Sequence, residues 1–193
     1  MKNLREIEDY AKANKIPILL PESRSILEEL ILKYQPQNIL EIGTAIGFSG
    51  CLMLLLSTNS KLTTIEKSDD AIIVAKRNFE KSNLIERVTI LQGDATEIIK
   101  TLKSKFDFIF LDGPKSQYLY QLPFLLNLLT KNGLILADNV LFRGMIKGDV
   151  PINRRYKKIV LNLQKLIQEV ENNPELDSEI LSIGDGLMII SKK

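Results

Sequence analysis

Asp112, Asp138 and Asn139 are the side chains whose type and placement most directly suggest chemistry. Asp112 closes the apolar run FDFIFLD (106–112), and Asp138 ends GLILAD (133–138) with Asn139 directly behind it. If these runs are neighbouring parallel strands, three oxygen donors meet at one sheet edge. Two carboxylates and an amide oxygen suit an octahedral Mg²⁺ with positions left for water and substrate oxygens. The plainer alternative is that each residue caps a loop or helix, which is common for one residue and less so for three that converge. Lys115 follows Asp112 by one short loop. Beside a divalent cation its ammonium form loses favour, which makes it a candidate general base; otherwise it is a solvated loop lysine. The sequence has no histidine and a single cysteine, Cys51. That excludes Ser-His-Asp and Cys-His nucleophile systems, an intrachain disulfide and a zinc site of His and Cys ligands.

A second group of residues suggests a nucleoside. EIGTAIGFS (41–49) follows the run NILEI and opens a helical pattern, with Gly43 and Gly47 spaced G-x-x-x-G. That spacing brings backbone close to a ligand but is a poor cradle for a pyrophosphate, which needs G-x-G-x-x-G. Glu66 ends KLTTIE, where a carboxylate can accept hydrogen bonds from both hydroxyls of a ribose. The alternatives are a tight turn that requires glycine and a surface glutamate. Together the two motifs favour an adenosine-type cofactor without a diphosphate, S-adenosylmethionine over NAD. In GDA (93–95), Asp94 is placed either to cap a helix or to contact adenine. Further on, GMIKGDVPINRRYKK (144–158) carries Lys147, Arg154, Arg155 and Lys158 against one acid, with Arg143 just before it. This is a solvated helix face or a site for the phosphates of a nucleic acid. The formal net charge of +2 does not decide between them.

The elements that would position these groups are legible as alternation. Five short apolar runs begin NILEI (38–42), KLTTIE (61–66), RVTILQ (87–92), FDFIFLD and GLILAD, and helical patterns separate them. Continuous rather than alternating hydrophobicity marks strands buried on both faces, hence a parallel sheet covered by helices. SEILSI (178–183) and GLMIIS (186–191) are joined only by Gly184 and Asp185, so they form an antiparallel hairpin. Two helices, 2–14 and 22–34, precede the first strand and are separated by IPILLP, whose prolines interrupt them. A helix over 152–171 places Tyr156, Ile159, Val160, Leu163, Leu166, Ile167 and Val170 in one apolar arc, with Arg154, Lys158 and Lys165 opposite. At 193 residues, 45% hydrophobic and 26% charged, the chain has the composition of one globular domain, 1–193. No run is long enough to cross a membrane, and the charged N-terminus MKNLREIEDYAK is unlike a signal peptide. With Cys51 read as a reduced, buried thiol, the expected location is cytoplasmic.

These motifs resemble the cation-dependent class I O-methyltransferases of the catechol and caffeoyl-CoA type, and within that family its members that methylate 5-hydroxyuridine in tRNA. The resemblance covers nearly the whole chain: AKANKIPIL, NILEIGTAIGFS, TIE, GDA, FDFIFLDGPKSQY, DNVLFRGMI, NRRYKK and GDGLMIISKK. It implies a Rossmann-like three-layer α/β sandwich whose seven-stranded sheet has strands 1–6 parallel and strand 7 antiparallel. Residues 1–36 would form part of a lid. Glu41, Gly43 and Ser49 would line the methionine part of S-adenosylmethionine with Leu19 closing over it. Glu66 would hold the ribose, Asp94 and Ala95 the adenine, and Asp112 would lie near the cofactor. Asp112, Asp138 and Asn139 would bind Mg²⁺, and Lys115 with Asp112 would be catalytic. Arg143, Lys147, Arg154, Arg155 and Lys158 would contact RNA. The resemblance also implies a homodimer. A small-molecule catechol or caffeoyl-CoA-type enzyme, or a non-catalytic ligand-binding protein on the same fold, is the alternative. Two features depart from the family pattern: Gly113-Pro114 stands between Asp112 and Lys115, and PESRS lacks the glycine usual after IPIL.

Overall fold

The runs buried on both faces do form the strands of a parallel sheet. A computed structural model describes residues 2–193. Its order is α1 (Lys2–Asn14), α2 (Pro21–Tyr34), β1 (Asn38–Ile42), α3 (Phe48–Leu56), β2 (Lys61–Glu66), α4 (Asp69–Lys81) and β3 (Val88–Gln92). Then follow α5 (Ala95–Thr101), β4 (Phe106–Leu111), α6 (Tyr118–Leu128), β5 (Leu129–Asp138), α7 (Lys157–Glu171), β6 (Leu176–Leu181) and β7 (Leu187–Lys192). The seven strands are ordered β3-β2-β1-β4-β5-β7-β6. β7 runs antiparallel to both β5 and β6, so the other six share one direction.

Successive residues of one strand enter opposite cores, as the two-residue period of a strand requires. In β4, Phe108 and Phe110 pack with α1–α4, while Ile109 and Leu111 pack with α5–α7. The sheet is thus the middle of three layers. The order reverses between β1 and β4, where one crossover leads away on each side. In such sheets a crevice opens outside the carboxyl ends of the strands at that point.

Four boundaries differ from the sequence reading in ways that matter to the site or its frame. β5 starts at Leu129, directly after α6, and a register shift opposite Phe106–Phe108 absorbs the extra residues. The hairpin has a longer link, 182–186, because its tip bonds elsewhere: Gly186 and Asp185 carbonyls accept from Val140 and Leu141 N–H at 3.0 Å. The helix expected over 152–171 is a 3₁₀ turn, Arg154–Tyr156, followed by α7. Asn153 Oδ1 accepts the Arg155 N–H at 2.9 Å and starts that turn. Pro21 is the first residue of α2 rather than a break before it, a position where a missing N–H costs nothing.

Candidate functional site

A cavity of about 710 Å³ lies over the carboxyl ends of β1, β2, β4 and β5. Leu19, Gly43, Glu66, Asp112, Lys115, Asp138 and Asn139 share its wall, joined by Gly184 and Asp185 from the β6–β7 link. A smaller cavity of about 170 Å³ continues from it past Gly43 and Glu66 and is lined by Gly93, Asp94, Ala95, Pro114 and Gln117. Gly43 is required where the chain turns out of β1. Its φ is +101°, and a Cβ there would lie 2.6 Å from the Asp112 carbonyl oxygen.

On the β1–β3 side, carboxylates are held by backbone. Glu66 Oε2 accepts the Ala45 N–H at 2.9 Å, and Oε1 accepts those of Lys67 and Ser68 at 2.8 and 2.9 Å. Asp94 caps α5 by accepting the Thr96 N–H at 3.0 Å, which together with Lys67 holds its carboxyl below the ordinary range. It both caps a helix and lines the smaller cavity. Glu41 and Ser49 do not reach either wall. Ser49 and Thr64 hydroxyls donate to Glu41 at 2.5 and 2.6 Å, and Glu41 is fully buried beneath the turn. Burial pushes its carboxyl up to about 7, against the pull of the two hydroxyls.

On the β4–β5 side the arrangement is more sparing. Asp138 is 3% exposed. Its Oδ1 accepts the Asn139 N–H at 2.7 Å and the Ser23 hydroxyl at 3.4 Å. Burial first, and then the charge of Asp112, raises its carboxyl to about 6. Lys115 Nζ pairs with Asp112 Oδ1 at 2.8 Å, so the Gly113-Pro114 loop does deliver the amine to the cavity. Asn139 follows β5 in the left-handed region at φ 58°. The Tyr118 hydroxyl lies 2.9 Å from the Leu111 carbonyl and 3.2 Å from that of Asp138, and so ties the ends of β4 and β5. Among the described residues no three His, Cys, Asp or Glu side chains cluster to hold a metal. This set has two carboxylates, with an amide as the third donor. Two neighbouring carboxylates, one of them buried and held protonated up to about 6, form a hard-oxygen site with negative charge to spare. That donor set fits a divalent cation such as Mg²⁺.

The basic segment is joined to the β6–β7 link, whose Gly184 and Asp185 line this cavity. Arg143 N–H bonds the Asp185 carboxylate, and Lys147 Nζ donates to Ser182 Oγ at 2.6 Å, so both are tied to the β6–β7 link. Arg143 lies over the Tyr156 ring, and Arg155 approaches the same ring. Arg154 and Lys158 are exposed beyond it. Ser23, Thr64, Tyr118, Gln117 and Asp185 were not singled out by sequence reasoning. Each nevertheless lies in a stretch already quoted: Thr64 in TIE, Gln117 and Tyr118 in FDFIFLDGPKSQY, Asp185 in GDGLMIISKK and Ser23 in PESRS.

The chain matches a family model described as O-methyltransferase over residues 1–193. The catechol O-methyltransferase of Mus musculus is 30% identical over 183 residues, which are 87% of this chain and 69% of the relative. A structure described as a candidate caffeoyl-CoA O-methyltransferase from Staphylococcus aureus superposes with a TM-score of 0.90 at 30% identity, covering 98% of this chain and 92% of that one. The S-adenosylhomocysteine-bound methyltransferase PaMTH1 of Podospora anserina gives 0.88 at 28% identity, covering 100% and 88%.

Proposed function

Since the chain belongs to the O-methyltransferase family and is an S-adenosylmethionine-dependent O-methyltransferase of the catechol and caffeoyl-CoA type, we propose that it methylates 5-hydroxyuridine in tRNA to 5-methoxyuridine and that it depends on Mg²⁺. The observation that supports an RNA acceptor is the basic segment joined to the β6–β7 link at the wall of the larger cavity. Arg143, Lys147, Arg154, Arg155 and Lys158 are all exposed, and among the described residues none forms a salt bridge. Unpaired cations beside an open cavity suit a phosphate backbone that presents an unstacked base.

In this reading Asp112, Asp138 and Asn139 hold the cation. When bound, Mg²⁺ lowers the pKa of an acceptor hydroxyl and orients it, while S-adenosylmethionine supplies the methyl group on a sulfonium. The protein's own residues do the remainder. Glu66, locked by three N–H groups, presents its remaining acceptor capacity to the ribose. Gly43 lets the backbone approach the methionine part, supported from beneath by Glu41 and Ser49. Asp94 and Ala95 border the adenine, and Leu19 with residues 1–36 covers the cofactor as a lid. Lys115, brought to the cavity by its pair with Asp112, would take the acceptor's proton as its neutral amine, the form favoured when a cation rather than the ammonium neutralises Asp112. We place the enzyme in the cytoplasm as a homodimer that contacts itself through the N-terminal helices.

The names of the relatives favour a second reading, in which the acceptor is a small catechol-like molecule held at the same site. One experiment separates the two: mass spectrometry of tRNA nucleosides from cells lacking the protein. Accumulated 5-hydroxyuridine with loss of 5-methoxyuridine supports the tRNA acceptor; an unchanged nucleoside profile leaves the small-molecule reading.

A further inference from the structure

Behind the smaller cavity three polar side chains form a directional relay. Gln121 on α6 is fully buried. Its Nε2 donates to Thr96 Oγ1 at 3.1 Å and to Gln117 Oε1 at 3.3 Å, while the Thr96 hydroxyl donates to that same Gln117 Oε1. Gln117 Oε1 thus has both lone pairs occupied from within the protein. Gln117 lines the cavity together with Asp94 and Ala95, and among the described residues its side chain is bonded only through Oε1, its Nε2 having no protein acceptor. The cost of this arrangement is also visible, because Gln121 Oε1 is buried with no partner. Reversing the amides would instead leave a buried NH₂ with two unpartnered donors, the worse outcome. The relay therefore holds Gln117 with its NH₂ facing the cavity.

We infer that Gln117 is a specificity-determining residue for the cofactor, its Nε2 donating a hydrogen bond to a ring nitrogen of the purine, with Thr96 and Gln121 as positioning residues. This rests on the reading that the adenine occupies the cavity beside Asp94 and Ala95. An amide fixed as a donor selects bases that offer an unprotonated ring nitrogen at that edge. Nothing in the methyl transfer itself requires it, so its role is recognition.

The test is isothermal titration with S-adenosylhomocysteine and its 1-deaza, 3-deaza and 7-deaza analogues, each of which replaces one ring nitrogen by C–H. The wild-type protein is expected to bind one of the three about tenfold more weakly than the parent. Gln117→Ala is expected to lose about tenfold for the parent and nothing further for that one analogue. Gln121→Leu is expected to weaken the parent in the same direction, with no additional loss in the double variant. If Gln117→Ala leaves the parent's affinity unchanged, or weakens the parent and all three analogues alike, the inference is overturned. Failure of wild-type protein to bind S-adenosylhomocysteine at all would overturn the underlying cofactor reading, and is distinguishable because no variant is needed to see it.

Discussion

On the β1–β3 side of the cleft, Glu66 collects three backbone N–H groups and Asp94 is fixed by the helix it caps. On the β4–β5 side, Asp138 is deeper yet receives one backbone N–H and a hydroxyl at 3.4 Å, with the charge of Asp112 close by. The first half is complete as folded, because backbone N–H groups of the turns after β1, β2 and β3 orient its carboxylates. The second half carries negative charge that Lys115 pairs with directly at Asp112 and only tempers at Asp138. In the proposed reading, folding alone satisfies the first, nucleoside-facing surface, whereas the second gains from an added cation.

The sharpest break of this contrast is Asp138→Ala. It is expected to lower methyl transfer by about three orders of magnitude, while S-adenosylhomocysteine affinity stays within about threefold by calorimetry. EDTA should reproduce that loss in the wild type and Mg²⁺ should reverse it; full activity in EDTA would remove the cation from the proposal.

Glu41 supplies the next largest effect. Its folded-state carboxyl titrates at about 7 against an ordinary 4.5, so the neutral form is the one the fold favours. Its contribution to stability is full below about 4.5 and is lost as pH rises through 7, a change on the order of 3 kcal/mol. Asp138 adds a change of the same sign near 6, so wild type and Glu41→Gln must be compared. Denaturant titrations at pH 5 and pH 8 should show the variant with the smaller pH dependence.

Glu66→Ala removes a carboxylate that the backbone has already oriented. It is expected to weaken S-adenosylhomocysteine binding by about 10- to 100-fold, while Mg²⁺ binding measured on the same protein is unaffected. Equal damage to both would mean that the halves are not independent. Smallest is Arg154→Glu with Arg155→Glu. Here tRNA affinity should fall by about tenfold, and the slope of log K against log salt should flatten by about two. A small catechol should be methylated at an unchanged rate.

The same division marks what could be read from sequence. β1 and β2 begin and end where the apolar runs do, because strands buried on both faces leave a continuous hydrophobic signature. Asp112, Asp138 and Asn139 were legible because parallel neighbours bring strand ends together whatever the loops do. The start of β5 was not legible, since residues 129–132 are strand only through pairing with Phe106. Nor was the length of the hairpin link, which is set by hydrogen bonds to residues 140 and 141. Ser23 meets Asp138 across 115 positions of chain, and no local pattern encodes such a contact. That Glu41 and Ser49 sit under the turn rather than in the cavity wall also depends on packing against Thr64, a neighbour only in space.

A phenol ring cannot be compressed. With its hydroxyl seated between the last carbonyls of two adjacent strands, Tyr118 braces a rigid ring at the start of α6 against the strand ends beside Asp112 and Asp138. The floor of the cleft therefore has the stiffness of a keystone.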